Sequence, residues 1–137
     1  MNAALGLVGV ALGLLAAVSG VVVIAIGLAT GRPFLYRRAR TFAFWVLAGA
    51  VLATIAMERA LLLHDFSIAF VAANNSRETP LLYSVTGMWS ALQGSILLWA
   101  LILSGYLAAM THAFRKRASD RIVAWSSLIG LLSLIHI

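Results

Sequence analysis

The sequence predicts an all-α protein that crosses a membrane about four times. Of the 137 residues, 63% are hydrophobic and only 10% are charged, whereas roughly a quarter of the residues of an ordinary soluble domain are charged. The mean hydropathy is +1.02. Four long apolar runs alternate with short polar or basic segments. Because lipid offers no hydrogen bonds to the backbone, each run is expected to be a helix.

The first apolar run covers residues 3–29 and contains one polar side chain, Ser19. At about 1.5 Å per residue this helix is about 40 Å long, which is enough to cross a bilayer with some tilt. Small residues recur along it, at Gly6, Gly9, Gly13, Gly20 and Gly27. We interpret them as a seam where another helix of the bundle approaches closely, in preference to a dimerisation motif.

Basic residues are concentrated in two short segments and predict the orientation of the chain. Eight of the ten Lys and Arg residues lie there, namely Arg32, Arg37, Arg38, Arg40, Arg115, Lys116, Arg117 and Arg121. Short loops rich in Lys and Arg stay in the cytoplasm, so the amino terminus is predicted to lie outside. The net charge of +6 then reflects topology, and no nucleic-acid partner is expected.

The second apolar run, residues 42–63, carries two charges near its far end. Glu58 and Arg59 lie about 25 Å along this helix, near the outer membrane boundary. Adjacent helical residues point about 100° apart, so the two side chains do not pair well with each other. Two interpretations stay open: the side chains reach the interface, or they form a buried pair that takes a partner from another helix.

Residues 64–86 form a connector that is much less basic than the two loops, so we expect it outside the cytoplasm. Residues 74–76 predict a turn, and Pro80 favours a helix start. Aromatic and aliphatic residues alternate with smaller ones before the turn, at Phe66, Ile68 and Phe70. This alternation is typical of a short extended or interfacial segment.

The third apolar run, residues 87–111, contains a polar cluster. Trp89 and Gln93 are four residues apart, so a continuous helix places them on one face. The cluster continues with Gly94, Ser95 and Trp99. Because a Gln amide in hydrocarbon needs a hydrogen-bonding partner, we interpret the cluster as a contact between helices. The alternative is the wall of a cofactor or substrate cavity.

The fourth apolar run starts at Ile122 and has 16 residues up to Ile137, fewer than the roughly 20 that cross a bilayer. We therefore expect a helix cut short, with residues 1–137 forming the amino-terminal transmembrane region of a larger polytopic protein. Residues 132–137 also resemble a translated sequencing-adapter tail, so His136 is not treated as a ligand.

Residue types that carry chemistry are scarce. The chain has no cysteine, which excludes disulfides and thiolate sites. The four acidic residues are scattered, and the three histidines are never three or four apart, so no catalytic or metal-binding group is predicted. His64 is a candidate iron ligand or hydrogen-bonding group, and its neighbour Asp65 is a candidate cap of the next segment.

One stretch carries a specific order and spacing of residues. It runs HDFSIAFVA from His64 to Ala72, continues with Asn74, Asn75, Ser76, Pro80 and Tyr83, and ends with WSALQGSILLW from Trp89 to Trp99. This resembles the amino-terminal region of CcmF-type cytochrome c biogenesis proteins, which show D-F-S-x-x-Y-V-A-x-N-S, P-x-x-Y and W-x-x-x-E-G-S-x-L-x-W. The resemblance covers about residues 58–100.

The matching positions have no defined role in the family. They are Asp65, Phe66, Ser67 and Asn74 in the external loop, and Trp89, Gly94, Ser95 and Trp99 in the third span. Two positions depart from the pattern. Phe70 stands where Tyr is usual, and Gln93 replaces the usual glutamate, so a role that requires a carboxylate at position 93 is not expected.

The resemblance implies a multi-pass protein of the bacterial cytoplasmic membrane that handles haem. In a multi-subunit assembly, such proteins act as haem lyase components and help attach haem to apocytochrome c on the outer face. It implies haem b in the full-length protein and, as partners, haem, apocytochrome c, other maturation subunits and the lipid bilayer. The tryptophan-rich segment and haem-ligating histidines of such proteins lie further along the chain. No haem ligation or activity is therefore expected of residues 1–137 alone.

Two alternatives from other classes stay open. A subunit of a membrane transporter would have broken helices and polar residues near the midplane, for which Gln93 and the glycines are the support. A small structural membrane subunit would pack with partners through the glycine seam.

Overall fold

The structure is a computed structural model that describes all 137 residues, and it contains helices and loops but no strand. Its elements are α1 (Asn2–Thr30), α2 (Pro33–Tyr36), α3 (Ala39–Leu62), α4 (Ala69–Asn74), α5 (Leu81–Ser90), α6 (Leu92–Ala113) and α7 (Arg121–His136). A 3₁₀ turn, Arg115–Arg117, lies between α6 and α7. The predicted all-α membrane fold class is confirmed.

Three helical segments are long and apolar enough to cross a membrane, judged by length and composition. They are Asn2–Thr30, Pro33–Leu62 and Leu92–Ala113, of which the second combines α2 and α3. Helix α7 is apolar but has only 16 residues. At about 1.5 Å per residue it is about 24 Å long, less than the roughly 30 Å of a hydrocarbon core.

Helices α1 and α3 form an antiparallel hairpin at the centre of the bundle. Helix α1 ends at Gly31, which adopts the left-handed conformation with φ 66°. The two helices come close at the glycine seam. A Cβ placed on Gly49 would lie 2.6 Å from the Gly13 nitrogen and 2.6 Å from the Gly9 oxygen. Glycine is therefore what allows the two backbones to touch.

Two clusters of buried residues hold the bundle together. The larger joins α1, α2, α3, α6 and α7 and contains Ala17, Ile24, Leu28, Tyr36, Ala39, Ala43, Val46, Leu107, Ala124, Leu128 and Leu131. The smaller, Ala60, Leu61, Val71 and Met88, joins α3, α4 and α5 at the other end. Many large apolar side chains remain exposed on the outside, which suits helices surrounded by lipid.

The continuous helix predicted over residues 87–111 is wrong in one respect. Ala91 is extended, with φ −123° and ψ 154°, and separates α5 from α6. Residues 87–90 therefore belong to a short helix that begins at Leu81, directly after Pro80. The break was not predicted because position 91 holds neither proline nor glycine. The break brings the Met88 carbonyl oxygen close to Gly94, and no local pattern indicates this approach.

Candidate functional site at the connector end

The connector between α3 and α5 is folded back onto the end of the bundle. Its short helix α4 inserts Val71, which is completely buried against Leu61 of α3 and Met88 of α5. Residues 66–70 were predicted as an extended or interfacial segment, but the structure places Ala69 and Phe70 in the first turn of α4. The connector is thus a packed part of the fold.

Asn75 ties the connector to two helices. Its side-chain nitrogen donates to the Leu61 carbonyl oxygen at 2.8 Å, at the end of α3. Its side-chain oxygen accepts from the Ser76 backbone N–H at 2.9 Å and from the Ser84 hydroxyl of α5 at 3.3 Å. Asn74, the residue singled out from the sequence, only donates back to Phe70 of its own helix. Asn75 is therefore the positioning residue of the pair.

A polar cluster joins the start of α1 to the end of α3 and the connector. Asn2 is buried, and its side-chain nitrogen donates to Asp65 Oδ2 at 2.9 Å. The Asn2 oxygen accepts from Arg59 Nη1 at 2.9 Å. The Ser67 hydroxyl donates to Asp65 Oδ1. Arg59 therefore takes its partner from α1, and Asp65 does not cap α4, whose N-cap is Ile68.

The hydrogen bonds to Asp65 stabilise its negative charge. Hydrogen bonds from the Ser67 hydroxyl, and then from the Asn2 amide, lower the pKa of Asp65 below its ordinary value. Donors aimed at a carboxylate stabilise its charged form, so Asp65 is an anion at neutral pH. The connector end thus presents a fixed negative charge held by two neutral donors.

His64 has an unusual environment for a loop residue. Its backbone has a positive φ of 51°, the only such value in the chain outside glycine. The ring lies 6.1 Å from that of Phe66, and its Nε2 atom is buried without a hydrogen-bond partner. No group of three or more His, Asp or Glu residues able to hold a metal ion accompanies it.

Gly94 allows the helix break to close tightly. A Cβ at this position would lie only 1.8 Å from the Met88 carbonyl oxygen and 2.9 Å from the end of the Phe70 ring. The hydroxyls of Ser90 and Ser95 bond to carbonyls of their own helices, Gly87 and Leu92, each at 2.8 Å. Near a helix break, serine hydroxyls can bond to backbone groups, and glycine leaves room for the backbone of the neighbouring segment.

Gln93 lies on a groove between four helices. The groove has a volume of about 450 Å³ and is lined by residues of α1, α3, α6 and α7, the majority of them hydrophobic. Its lining includes Gly9, Gly13, Gly49, Ile96, Leu134 and Gln93. No His, Met, Tyr or Cys is among the lining residues, so the groove offers no ligand for haem iron.

The predicted motif residues are thus brought to one end of the bundle but not to one point. Because of the break at Ala91, Trp89 and Gln93 lie on different helices and do not share a helical face. Trp89 and Trp99 are 50% and 64% exposed, and Phe66 is 38% exposed. These aromatic side chains present apolar surface outward from the bundle.

The sequence did not indicate the structural roles of Asn2 and Asn75. Asn2 was a lone polar residue before a long apolar run, and its role depends on Arg59 and Asp65 lying at the same end of the bundle. Asn75 stood inside the motif beside Asn74, and only its contacts with Leu61 and Ser84 distinguish the two.

No family model matches the chain, but known proteins are similar to it. The cytochrome c-type biogenesis protein CcmF of Escherichia coli K12 is 29% identical over 107 residues, which are 78% of this chain and 16% of the relative. The cytochrome c-type biogenesis protein ccl1 of Rhodobacter capsulatus is 36% identical over 89 residues, 63% of this chain and 14% of that protein.

The fold agrees as well. A solved structure named cytochrome c heme lyase CcmF matches with a TM-score of 0.86 and 31% sequence identity, over 98% of this chain and 22% of that one. The chain spans less than a quarter of the length of each of these proteins. The match includes the connector and both basic loops, because it covers nearly every residue. The chain is thus similar to CcmF-type cytochrome c biogenesis proteins in sequence, and to one of them in fold over nearly its whole length.

Proposed function

We propose that the chain acts in cytochrome c maturation as a transmembrane region of a larger CcmF-type protein. The observation that carries this proposal is the TM-score of 0.86 over 98% of the chain, at 31% identity, with a protein named as a haem lyase. A single long hairpin is common to many membrane proteins. Agreement over the hairpin, the connector and the broken helix together is much more specific.

In this proposal residues 1–137 form one region of a protein of the bacterial cytoplasmic membrane. The amino terminus and the connector face outward, and both basic loops face the cytoplasm. The distribution of charge supports this orientation, since eight of the ten Lys and Arg residues lie in the two loops. The connector then lies on the side where haem is attached to apocytochrome c.

The proposed partners are haem, apocytochrome c, the other maturation subunits and lipid. Haem b is the proposed cofactor of the full-length protein. In the haem that is attached, the vinyl groups would take up the thiols of apocytochrome c by addition, with no leaving group. The groove of this chain does not fit a haem ligand set, since it lacks His, Met, Tyr and Cys. We propose that the iron ligands of the full-length protein lie outside residues 1–137 and that this chain has a scaffolding role, with no activity of its own.

The role proposed for the connector end is to hold the outward surface in a fixed shape. Asn75 fixes the connector to α3 and α5, and Asn2 fixes Asp65. The exposed Trp89 and Phe66 are then presented in constant positions. Rigid presentation matters for attachment chemistry because reacting groups must be held in a productive geometry.

A chimera tests the proposal. The matching segment of Escherichia coli CcmF is replaced by this chain in a strain that lacks its own copy, and cytochrome c carrying covalent haem is measured by haem staining. We expect maturation to be restored to a measurable fraction of the wild-type level. A chimera that accumulates in the membrane but yields no holocytochrome c would contradict the proposal.

A further inference from the structure

A second cavity lies at the opposite end of the bundle, between the two basic segments. It has a volume of about 170 Å³. It is lined by Tyr36, Arg37, Ala39, Arg40, Thr41, Thr111, Arg115, Ala118 and Val123. The cavity therefore collects residues from the α2–α3 segment, the end of α6 and the start of α7. Neither the motif residues nor the proposed function assigns it a role.

The charge of this cavity is uncompensated within the chain. Arg37, Arg40 and Arg115 line it, and no acidic residue does. The one acidic residue of the basic segments, Asp120, is already engaged. It forms an ion pair with Arg117 and accepts the Ile122 N–H at the start of α7. Three guanidinium groups around one small cavity favour binding of an anion.

The remaining lining groups suit an oxyanion. Thr41 and Tyr36, whose side chains carry hydroxyl groups, also line the cavity, and Ala39, Arg40 and Thr41 form the first turn of α3. The first turn of a helix carries free backbone N–H groups and a partial positive charge. Arg115 is positioned by a hydrogen bond from Nη1 to the His112 carbonyl oxygen at 3.1 Å.

Tryptophan residues place the cavity at the depth of the lipid headgroups. Trp45 and Trp125 are 53% and 51% exposed. They lie about 9 Å along α3 and about 6 Å along α7 from the basic end. Trp side chains are enriched at the boundary between hydrocarbon and headgroups. The cavity lies just beyond them, where the phosphates of a bilayer lie.

We propose that this cavity binds the phosphate of an anionic phospholipid through Arg37, Arg40 and Arg115. Arginine recognises phosphate with paired hydrogen bonds, and basic pockets between membrane helices are suited to anionic headgroups. A lipid, rather than a soluble phosphate, is favoured by the depth of the cavity. A zwitterionic lipid carries its own cation, which three arginines repel.

The test uses the chain reconstituted in nanodiscs of phosphatidylcholine containing a minor fraction of phosphatidylglycerol. Native mass spectrometry after extraction measures the ratio of the two lipids that stay bound. We expect phosphatidylglycerol to be enriched on the wild-type chain. Each of Arg37→Gln, Arg40→Gln and Arg115→Gln should reduce the enrichment, by roughly fivefold per arginine if the sites act independently.

A matched control removes the same charge outside the cavity. Arg32→Gln, Arg38→Gln and Lys116→Gln change exposed residues that do not line it. This triple variant should retain most of the enrichment. An equal loss in both sets would mean diffuse attraction to the basic end and would overturn the proposal.

Two further outcomes decide against the lipid. Absence of phosphatidylglycerol enrichment on the wild-type chain would overturn the proposal without any variant. Loss of enrichment when inorganic phosphate is added would mean that the cavity takes a soluble anion instead. Enrichment that persists in phosphate, and that is lost only with the three cavity arginines, would support a lipid site.

Discussion

At the scale of single residues, the contact at Gly94 is the strongest constraint on the candidate site. The Met88 carbonyl oxygen occupies the space that any side chain at position 94 would need. We expect Gly94→Ala to destabilise the chain by about 3 kcal/mol or more, because backbone must move to relieve the overlap. The measurement is the thermal unfolding midpoint in detergent.

The control for this variant lies on the same helix. Nothing lies within 4 Å of a Cβ placed on Gly105, so Gly105→Ala should be neutral or stabilise by up to about 1 kcal/mol through helix propensity. Equal effects of the two substitutions would mean that the break between α5 and α6 does not require a residue without a side chain at position 94.

Asp65 gives a prediction about pH. Its pKa lies below the ordinary value of 3.8 because Ser67 and Asn2 donate to the carboxylate. A depressed folded pKa contributes stability that is complete above the unfolded pKa and is lost as the pH falls through the folded pKa. Asp65→Asn should therefore lower the unfolding midpoint at neutral pH, and its difference from wild type should shrink below pH 3.8.

Glu78 is the matched residue for this pH series. It is exposed in the same connector and makes no side-chain hydrogen bond, so Glu78→Gln removes one negative charge without removing a bond. Its unfolding midpoint should follow wild type across the series. If both variants behave alike, net charge and not the Asn2 and Ser67 bonds explains the effect.

At the scale of elements, the α1–α3 hairpin depends on the glycine seam at particular positions. A Cβ on Gly49 would contact the α1 backbone at 2.6 Å, whereas one on Gly13 would lie 3.7 Å from its nearest neighbour, the Val46 oxygen. We expect Gly49→Ala to cost about 1–3 kcal/mol by forcing the helices apart.

Gly13→Ala should cost little, although both glycines belong to the same seam. Unfolding in detergent, followed by circular dichroism, compares the two. A larger loss for Gly13→Ala than for Gly49→Ala would contradict the close approach described for these helices.

The connector depends on Asn75 in the same way. Asn75→Ala removes the bonds to Leu61 and Ser84 and should loosen residues 64–80 by about 1–3 kcal/mol, since two hydrogen bonds between elements are lost. The Leu61 carbonyl oxygen keeps the His64 N–H as a donor. Asn74→Ala removes only a bond within α4 and should have a smaller effect. Hydrogen exchange of the connector measures both, and faster exchange for Asn74→Ala would refute this assignment.

Apolar runs were sufficient to predict the long helices, because a lipid environment forces such runs to satisfy their own backbone. Helix α4 and the break at Ala91 were not predictable from local pattern. The six residues of α4 are stabilised by the burial of Val71 against α3 and α5. The break brings the Met88 carbonyl oxygen so close to position 94 that a side chain there would overlap it. Both are contacts between elements, which a single sequence does not display.

At the scale of the whole molecule, the two ends of the bundle differ in charge and in the side chains that they bring together. One end gathers basic residues around a small cavity, and the other holds Asp65 in a hydrogen-bonded cluster with Asn2, Ser67 and Arg59, beside exposed aromatic side chains. The motif residues between positions 58 and 100 point to the same proteins as the sequence and fold similarity of the whole chain. The individual roles of the motif residues follow only from the three-dimensional structure, as the contrast between Asn74 and Asn75 illustrates.

The proposed role of the connector end depends most directly on its facing outward. The chain has no cysteine, so single cysteines introduced as Ser76→Cys in the connector and Ser119→Cys in the second basic segment can be labelled individually. A membrane-impermeant maleimide applied to intact cells, after opening of any outer membrane, should label position 76 and should reach position 119 only once the inner membrane is disrupted. Labelling of position 119 but not 76 in intact cells would contradict the proposed orientation and, with it, a place for the connector in haem attachment.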